Sequence, residues 1–565
     1  METMADFAEK DLSIERSGGT LVRRKGIYIA HLRGSQEAMG RQHGELASAA
    51  CGDVVPQYMN RMLRKLVFHT AGGAAGPVAG LISSFFHWRN RSQISEGWHI
   101  HLGALARAYG LKPKDAERLF IMPDLFHVLA GASFTTLTPA CSCFFARGNA
   151  TRDGKVIIGR NFDFFGRGVW NTNNALLVMH PEGGQRHCWI GSLGVPGSGQ
   201  GFNESGLFVG MHSKFTRDLS TKGTPIFQIA SDVLAECTNL EEATNRILKT
   251  RRLCGLSLFV VDTRAKDAAI VGFSARHAEV VRPEEDTLVR TNHYVTKDMQ
   301  SREVGPHPFQ ENTHGRFQRL TELLEEKRGN LSPEDGPVLL GDCIDPFEGR
   351  KRVTGSIVAA MNNVQSVVLS PEDDALWMAH GDYPVCLNDR FRGFRISALW
   401  EGDENRYDID DLPGGGQLDA TERAALYEYE EAWSAYLDQL DTSKAVYHLL
   451  CATELLPGEP IFPRMAGLLL LKEKLYARAL PLLLQNTEYD YRDPVMHAEA
   501  HVWAGRCLDL LGHQDEALKH YDIAAGLDAP PVSKAAERHR NKPFKAWQLL
   551  NISPEFIVGT ALAKF

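Results

Sequence analysis

Two cysteines flank a single serine in Cys141-Ser142-Cys143, at the head of the apolar run "CSCFFARG", and Gly159-Arg160-Asn161-Phe162-Asp163 follows shortly after. An internal cysteine can be a nucleophile, a metal ligand or a small core residue, so its neighbours must decide. Between the two stretches lies Asp153-Gly154, a dipeptide that favours a hairpin turn. Such a hairpin would pair the strand beginning near Cys141 with the one ending near Asp163, returning Arg160 and Asp163 toward the cysteine. An arginine beside a thiol favours the thiolate, and a carboxylate can hold an amine. Together they suit a cysteine that is itself a new N-terminus, whose α-amino group, with a pKa near ~8, serves as general base. On a strand Cys143 would share the face of Cys141. There it could modulate the site or form a disulfide under oxidation.

The elements that would position these residues fall into three textures. Residues 35 to about 130 read mainly as helix, with Ser35 and Ser95 as N-caps. From Thr135 to about residue 400, short apolar runs such as "GKVIIGRNF", "NALLVMH", "GLFVGMH" and "LSLFVVDTRAKDAAIVGF" alternate with turns. Helical patterns interrupt them near 225–250 and 314–328, a mixture that predicts packed sheets covered by helices. After the Gly-rich stretch "DLPGGGQLDATE" the chain is helical and repeats itself. Ala466-Gly467 with Ala479-Leu480 returns 38 residues later as Ala504-Gly505 with Ala517-Leu518. Gly505, Gly512, Ala517, Tyr521, Ala524, Leu527 and Pro530 resemble the tetratricopeptide pattern, in which small residues let paired helices approach.

At 565 residues the chain exceeds the size of one hydrophobic core, so two or three domains are expected. A net charge of −8 gives no reason to expect nucleic acid as a partner. The ten cysteines lack CxxC or zinc-knuckle spacing, and the polar N-terminus lacks the features of a secretory signal, so a reducing cytoplasm is expected. Residues 66–88 carry no Asp, Glu, Lys or Arg. Their glycines, proline and histidines make them a poor spanning helix, so a buried helical hairpin is preferred over membrane contact. "GVPGSGQGFNESG" has no lysine and leads into a strand, which argues against a phosphate loop. His99 and His101 lack a matching ligand set and are expected at the surface. Glu428, Glu430 and Glu431 are expected on a solvated helix face.

"ACSCFFARGNATRDGKVIIGRNFDF" resembles the start of the mature chain in the cysteine N-terminal-nucleophile (Ntn) hydrolases, the penicillin acyltransferase-like group and the related choloylglycine hydrolases. "GFNESGLFVG", "RTNHY", "NTHGRFQRL" and "NNVQSVVLSPEDDALWMAHGDYP" resemble later family segments in order, and "HLRGSQEAMGRQHGE" resembles the pro-segment. The resemblance implies an α+β fold. An αββα Ntn-hydrolase sandwich would occupy 141–410, after a helical pro-segment at 1–140. A linker at 411–422 and an all-α tetratricopeptide-like region at 423–550 would follow.

The resemblance further implies that Cys141 attacks the carbonyl of Ala140, cuts the chain there, and then serves as catalytic nucleophile. Arg160 and Asp163 match the partners of the thiol and the amine, Asn292 the oxyanion donor, and Arg316 a distal arginine that orders the site. Asn203, His212 and Cys143 are substrate-side candidates, His212 or Ser213 standing where many choloylglycine hydrolases have a second oxyanion asparagine. The implied reaction is hydrolysis or acyl transfer at a non-peptide amide, with no cofactor or metal. Its substrate would be a small acyl amide, and the helical repeats could hold a protein partner or a second copy. The alternatives are a lipid or acyl ester hydrolase at a membrane surface and an inactive scaffold.

Overall fold

The computed structural model describes residues 12–59, 61–62, 75–133, 140–551 and 553–562. In chain order its main strands begin with β1 (Leu12–Arg16), β2 (Gly19–Arg24), β3 (Ile27–Gly34), β4 (Ala140–Gly148) and β5 (Gly154–Asp163). Then come β6 (Asn174–Pro181), β7 (His187–Ser192), β8 (Gln200–Asn203), β9 (Leu207–Ser213), β10 (Leu256–Asp262), β11 (Asp267–Phe273) and β12 (Ala278–Val281). The last are β13 (Thr287–Arg290), β14 (Asn363–Ser370), β15 (Ala375–Ala379), β16 (Arg390–Arg395) and β17 (Asp408–Pro413). One sheet runs β1-β2-β3-β6-β7-β8-β9-β10-β11-β12 and the other β13-β4-β5-β14-β15-β16-β17.

The two sheets pack face to face. Val22, Ile29, Val178 and Phe259 of the first meet Cys143, Phe145, Ile158 and Val367 of the second in one buried layer. The outer face of the first sheet is covered by α1 (Gln36–Cys51), α2 (Ala75–Asn90), α3 (Glu96–Ala108), α4 (Pro113–Phe120), α5 (Met122–Ser133), α6 (Ile226–Glu236) and α7 (Leu240–Lys249). That of the second is covered by α8 (His307–Glu326), whose Leu320, Leu323 and Leu324 pack on Phe144, Ile157 and Val368. The layers are therefore helix, sheet, sheet, helix. Strands buried on both faces explain runs such as "LSLFVVD" in which every residue is buried.

The region before Cys141 is not wholly helical. Residues 12–34 form two hairpins, and β3 pairs in parallel with β6, from Tyr28 opposite Ala175 to Gly34 opposite Pro181. The signal was present as Ser17-Gly18 and Lys25-Gly26, all four at positive φ, between β-rich runs. Of the charge-free segment, 66–74 lie outside the described residues, and the rest forms α2, which is not buried throughout. Ala79, Phe86 and Asn90 face inward while Leu81, Phe85 and Trp88 are 71%, 54% and 69% exposed. No helix among the described residues is long and apolar enough to cross a membrane.

The Gly-rich stretch is packed rather than free. Leu412 and Pro413 belong to β17, Asp419 caps the next helix, and a Cβ on Gly414 or Gly415 would lie 1.8 Å from the Asn388 carbonyl oxygen or 2.1 Å from that of Pro337. Beyond it α9 (Ala420–Ser434), α10 (Thr442–Leu455), α11 (Ile461–Lys472), α12 (Tyr476–Thr487), α13 (Pro494–Leu511), α14 (Gln514–Gly526) and α15 (Val532–Asn541) follow. Gly467 lies against Leu483 and Gly505 against Tyr521, so the repeated small residues sit at the crossings of successive helix pairs. These helices share a core with the rest of the chain: Leu426, Tyr429 and Trp433 join one buried cluster with Tyr58, Met62, Phe165 and Trp170. Glu430 is buried beside Arg167 rather than solvated, and the closing hairpin Ser553–Leu562 adds Phe556, Ile557 and Ala561 to the same cluster.

Candidate active site

The site begins with the register of β4 and β5. Ala140 stands opposite Asp163, Cys141 opposite Phe162 and Cys143 opposite Arg160, which places the arginine and the aspartate on either side of Cys141. The hairpin forms through residues 149–153 rather than a two-residue turn. Arg160 is buried and its Nη2 lies 3.7 Å from Cys141 Sγ. Its guanidinium is aimed by the Gln200 Oε1 and Met211 carbonyl acceptors, and it has room because residue 210 is glycine: a Cβ there would lie 2.7 Å from Arg160 Nε.

Burial pushes the Cys141 thiol above its ordinary range, outweighing the pull of Arg160 toward the thiolate. The thiol is therefore protonated at neutral pH, and any attack by it would need a base. Asp163 is fully buried. One oxygen accepts from Asn363 Nδ2 at 2.7 Å and the other has no partner, and burial pushes its carboxyl up to about 7.

Asn292 and Arg316 close the far side. Asn292, in the loop after β13, accepts through Oδ1 from the Cys141 N–H at 2.9 Å and from Arg316 Nη2 at 2.9 Å, while its Nδ2 donates to the Ser213 carbonyl at 3.1 Å. Arg316 of α8 donates from Nη1 to the Cys141 carbonyl at 2.8 Å and to Ser142 Oγ at 2.9 Å, and from Nε to Asn312 at 3.0 Å. A buried arginine hydrogen-bonded through all three nitrogens fixes the main chain of Cys141 and the amide of Asn292 as one unit.

The structure thus brings Cys141, Arg160, Asp163, Asn292 and Arg316 together. The other three candidates are placed differently. Asn203 is committed to its own turn and to the end of α6, accepting from Ser205 and Leu207 and donating to the Leu234 and Cys237 carbonyls. Cys143 packs between the sheets as a free thiol that burial raises to about 12. His212 is buried with neither ring nitrogen partnered, and burial together with Arg160 and Lys214 keeps it neutral. His101 is also buried rather than at the surface. Gln200 and Asn363, which hold Arg160 and Asp163, carry no signal in the sequence that singles them out. Gln200 lay inside the glycine-dense stretch read only as a rejected phosphate loop.

A cavity of about 90 Å³ adjoins the site, and its polar lining includes Arg160, Gln200 and Ser213. Met59, Met62, Met122 and Phe126 from the region before Cys141 form its apolar wall with Phe164 and Trp170. The lining suits an apolar group; the cavity reaches Arg160, whose guanidinium lies by Cys141 Sγ, while Cys141 itself does not line it. Among the described residues no group of three or more His, Cys, Asp or Glu side chains could hold a metal.

Residues 150–381 match the family model of acyl-coenzyme A:6-aminopenicillanic acid acyl-transferase, a range that begins after Cys141 and contains Arg160, Asp163, Asn292 and Arg316. An uncharacterized protein of Archaeoglobus fulgidus is 24% identical over 367 residues, covering 57% of this chain and 58% of the relative, so the match spans little more than half of that protein. Among solved structures, a Caenorhabditis elegans ortholog of N-acylethanolamine-hydrolyzing acid amidase is 16% identical with a TM-score of 0.29, covering 41% of this chain and 93% of that one. A mutant of the conjugated bile acid hydrolase from Clostridium perfringens is 13% identical with a TM-score of 0.31, covering 48% and 96%. The match to the acyl-transferase family model spans less than half of the chain and supports a likeness to that acyltransferase family for residues 150–381, which carry Arg160, Asp163, Asn292 and Arg316.

Proposed function

We propose that the protein is a self-processing cysteine Ntn enzyme that hydrolyses or transfers the acyl group of a non-peptide amide. In maturation Cys141 Sγ attacks the Ala140 carbonyl carbon, the thiol proton passes to the Cys141 nitrogen as the peptide C–N bond breaks, and the acyl chain moves from nitrogen to sulfur. Water then hydrolyses the thioester, freeing the Ala140 carboxylate and the Cys141 α-amine. In turnover that amine takes the thiol proton as Sγ attacks the substrate carbonyl, and gives it to the departing amine. The acyl group stays on Sγ until water or a second amine removes it.

The observation that carries this reading is the clasp of Arg316 and Asn292 on both sides of the Cys141 peptide unit, beside a thiol that needs a base. The unpartnered oxygen of Asp163, one register step away, supports a place for the ammonium that cleavage would create. β1–β3 are woven into the first sheet and the N-terminal region supplies an apolar cavity wall, which supports its retention after cleavage. The paired C-terminal helices are read as tetratricopeptide-like and able to receive a partner. A second reading, an acyl ester or lipid hydrolase at a membrane surface, is favoured by the exposed Leu81, Phe85 and Trp88. Release of aminocoumarin from N-acyl aminocoumarins of several chain lengths tests the first reading. Turnover by the wild type and none by Cys141→Ala is expected, whereas equal rates would overturn it.

A further inference from the structure

Lys214 immediately follows β9 and is fully buried, a rare place for an amine. Its Nζ donates to the Thr291 carbonyl at 2.9 Å and also to the His293 carbonyl, so one side chain holds the two carbonyls that bracket Asn292. The residue before it, Ser213, accepts from Asn292 Nδ2 at 3.1 Å. The end of β9 therefore grips the main chain of Asn292 on both sides and its amide from the front. From the other direction the Asn292 N–H donates to Thr313 Oγ1 at 2.7 Å. The asparagine so held is the residue whose Oδ1 accepts from the Cys141 N–H. Among the described residues Lys214 makes no ion pair within 4.0 Å. The carboxylates that bear on it, Glu303 and Glu279, cap the next stretch of the same loop by accepting from the Tyr294, Val295 and Thr296 N–H groups.

A buried lysine used on two carbonyls is poorly explained by stability alone, because desolvating the ammonium costs more than two such bonds return. We infer that Lys214 is a positioning residue for the reaction, fixing Asn292 against the Cys141 peptide unit. The inference rests on the functional reading above. Lys214 touches neither the thiol nor the scissile carbonyl and acts only through Asn292.

A double-mutant cycle with Lys214→Met and Asn292→Ala tests it, using turnover of an N-acyl aminocoumarin. Lys214→Met, of similar length but without donors, should lower kcat by about thirtyfold or more with KM changed less than twofold. In the Asn292→Ala background it should cost less than threefold further, because the group it positions is gone. A general structural role would give additive losses, and additivity or an unchanged kcat would overturn the inference. If wild type neither cuts itself nor turns over any acyl amide, the functional reading has failed and the positioning is read by hydrogen exchange in Cys141→Ala. There Lys214→Met should speed exchange of amides 292–296 at least tenfold, with β5 and β14 unchanged. Equal protection of 292–296 would overturn it.

Discussion

Ending the chain at Gly415 should abolish folding rather than release an independent catalytic module. Arg352 is buried on the catalytic side of the junction and forks onto Glu459, Nε at 3.1 Å from Oε2 and Nη2 onto Oε1, with Asp345, 3.5 Å away, as a second acid. Removing one partner of a buried pair costs about 3–5 kcal/mol. The truncation also uncovers Tyr58, Phe165, Trp170 and Tyr383, which share a buried cluster with Tyr429, Trp433 and Phe462. Re-exposing even two such side chains costs about 1.5–3 kcal/mol each. Together these reach about 6–11 kcal/mol, comparable to the whole stability of a typical domain. The assay is thermal unfolding with size-exclusion chromatography of chains ending at Gly415 and at Phe565. Aggregation or a non-cooperative melt of the shorter chain is expected, with Glu459→Ala in the full chain melting several degrees low. A monodisperse fragment melting within about 5 °C of the full chain would refute the shared core.

Three further outcomes follow from the site. In uncut Cys141→Ala, Asp163 keeps its proton to about 7 when folded but releases it near 3.8 when unfolded, so its contribution is full below about 4 and is lost as pH rises to about 7. Asp163→Asn should remove this slope, on the order of 4 kcal/mol, in urea unfolding across that window; parallel pH profiles would count against the buried carboxyl. Asn292 Nδ2 is committed to the Ser213 carbonyl rather than free for an oxyanion, so its effect comes through the Cys141 peptide unit it holds: Asn292→Ala should leave a folded protein with kcat lowered about a hundredfold or more, read by aminocoumarin release. Cys143→Ala should still cleave and keep most activity, at a stability cost of about 1–2 kcal/mol for a small buried side chain; loss of cleavage would give Cys143 a chemical role.

What sequence made legible was mostly local. Asp153-Gly154 placed the hairpin, and with it Arg160 and Asp163 beside Cys141, because turn chemistry and strand register are short-range. Asn292 and Arg316 came only by resemblance, since no spacing rule links Cys141 to groups 151 and 175 residues away. The strands of residues 12–34 went unread although two positive-φ turns marked them, because the helical texture after Ser35 dominated that half. Burial was the least legible property. Lys214, Glu430 and His101 are charged or polar types expected at a surface, and partners from distant segments cover each of them. The glycines at 414–416 read as part of a linker for the same reason: the carbonyls they touch belong to residues 337, 387 and 388.

The central claim is that Cys141 becomes an N-terminus. The mass spectrum of the purified protein under denaturing conditions measures this most directly. Two fragments joining at Ala140 and Cys141 are expected for the wild type, with a single uncut chain for Cys141→Ala. A wild-type chain that stays uncut, or one cut at Cys143 or in Cys141→Ala, would contradict it.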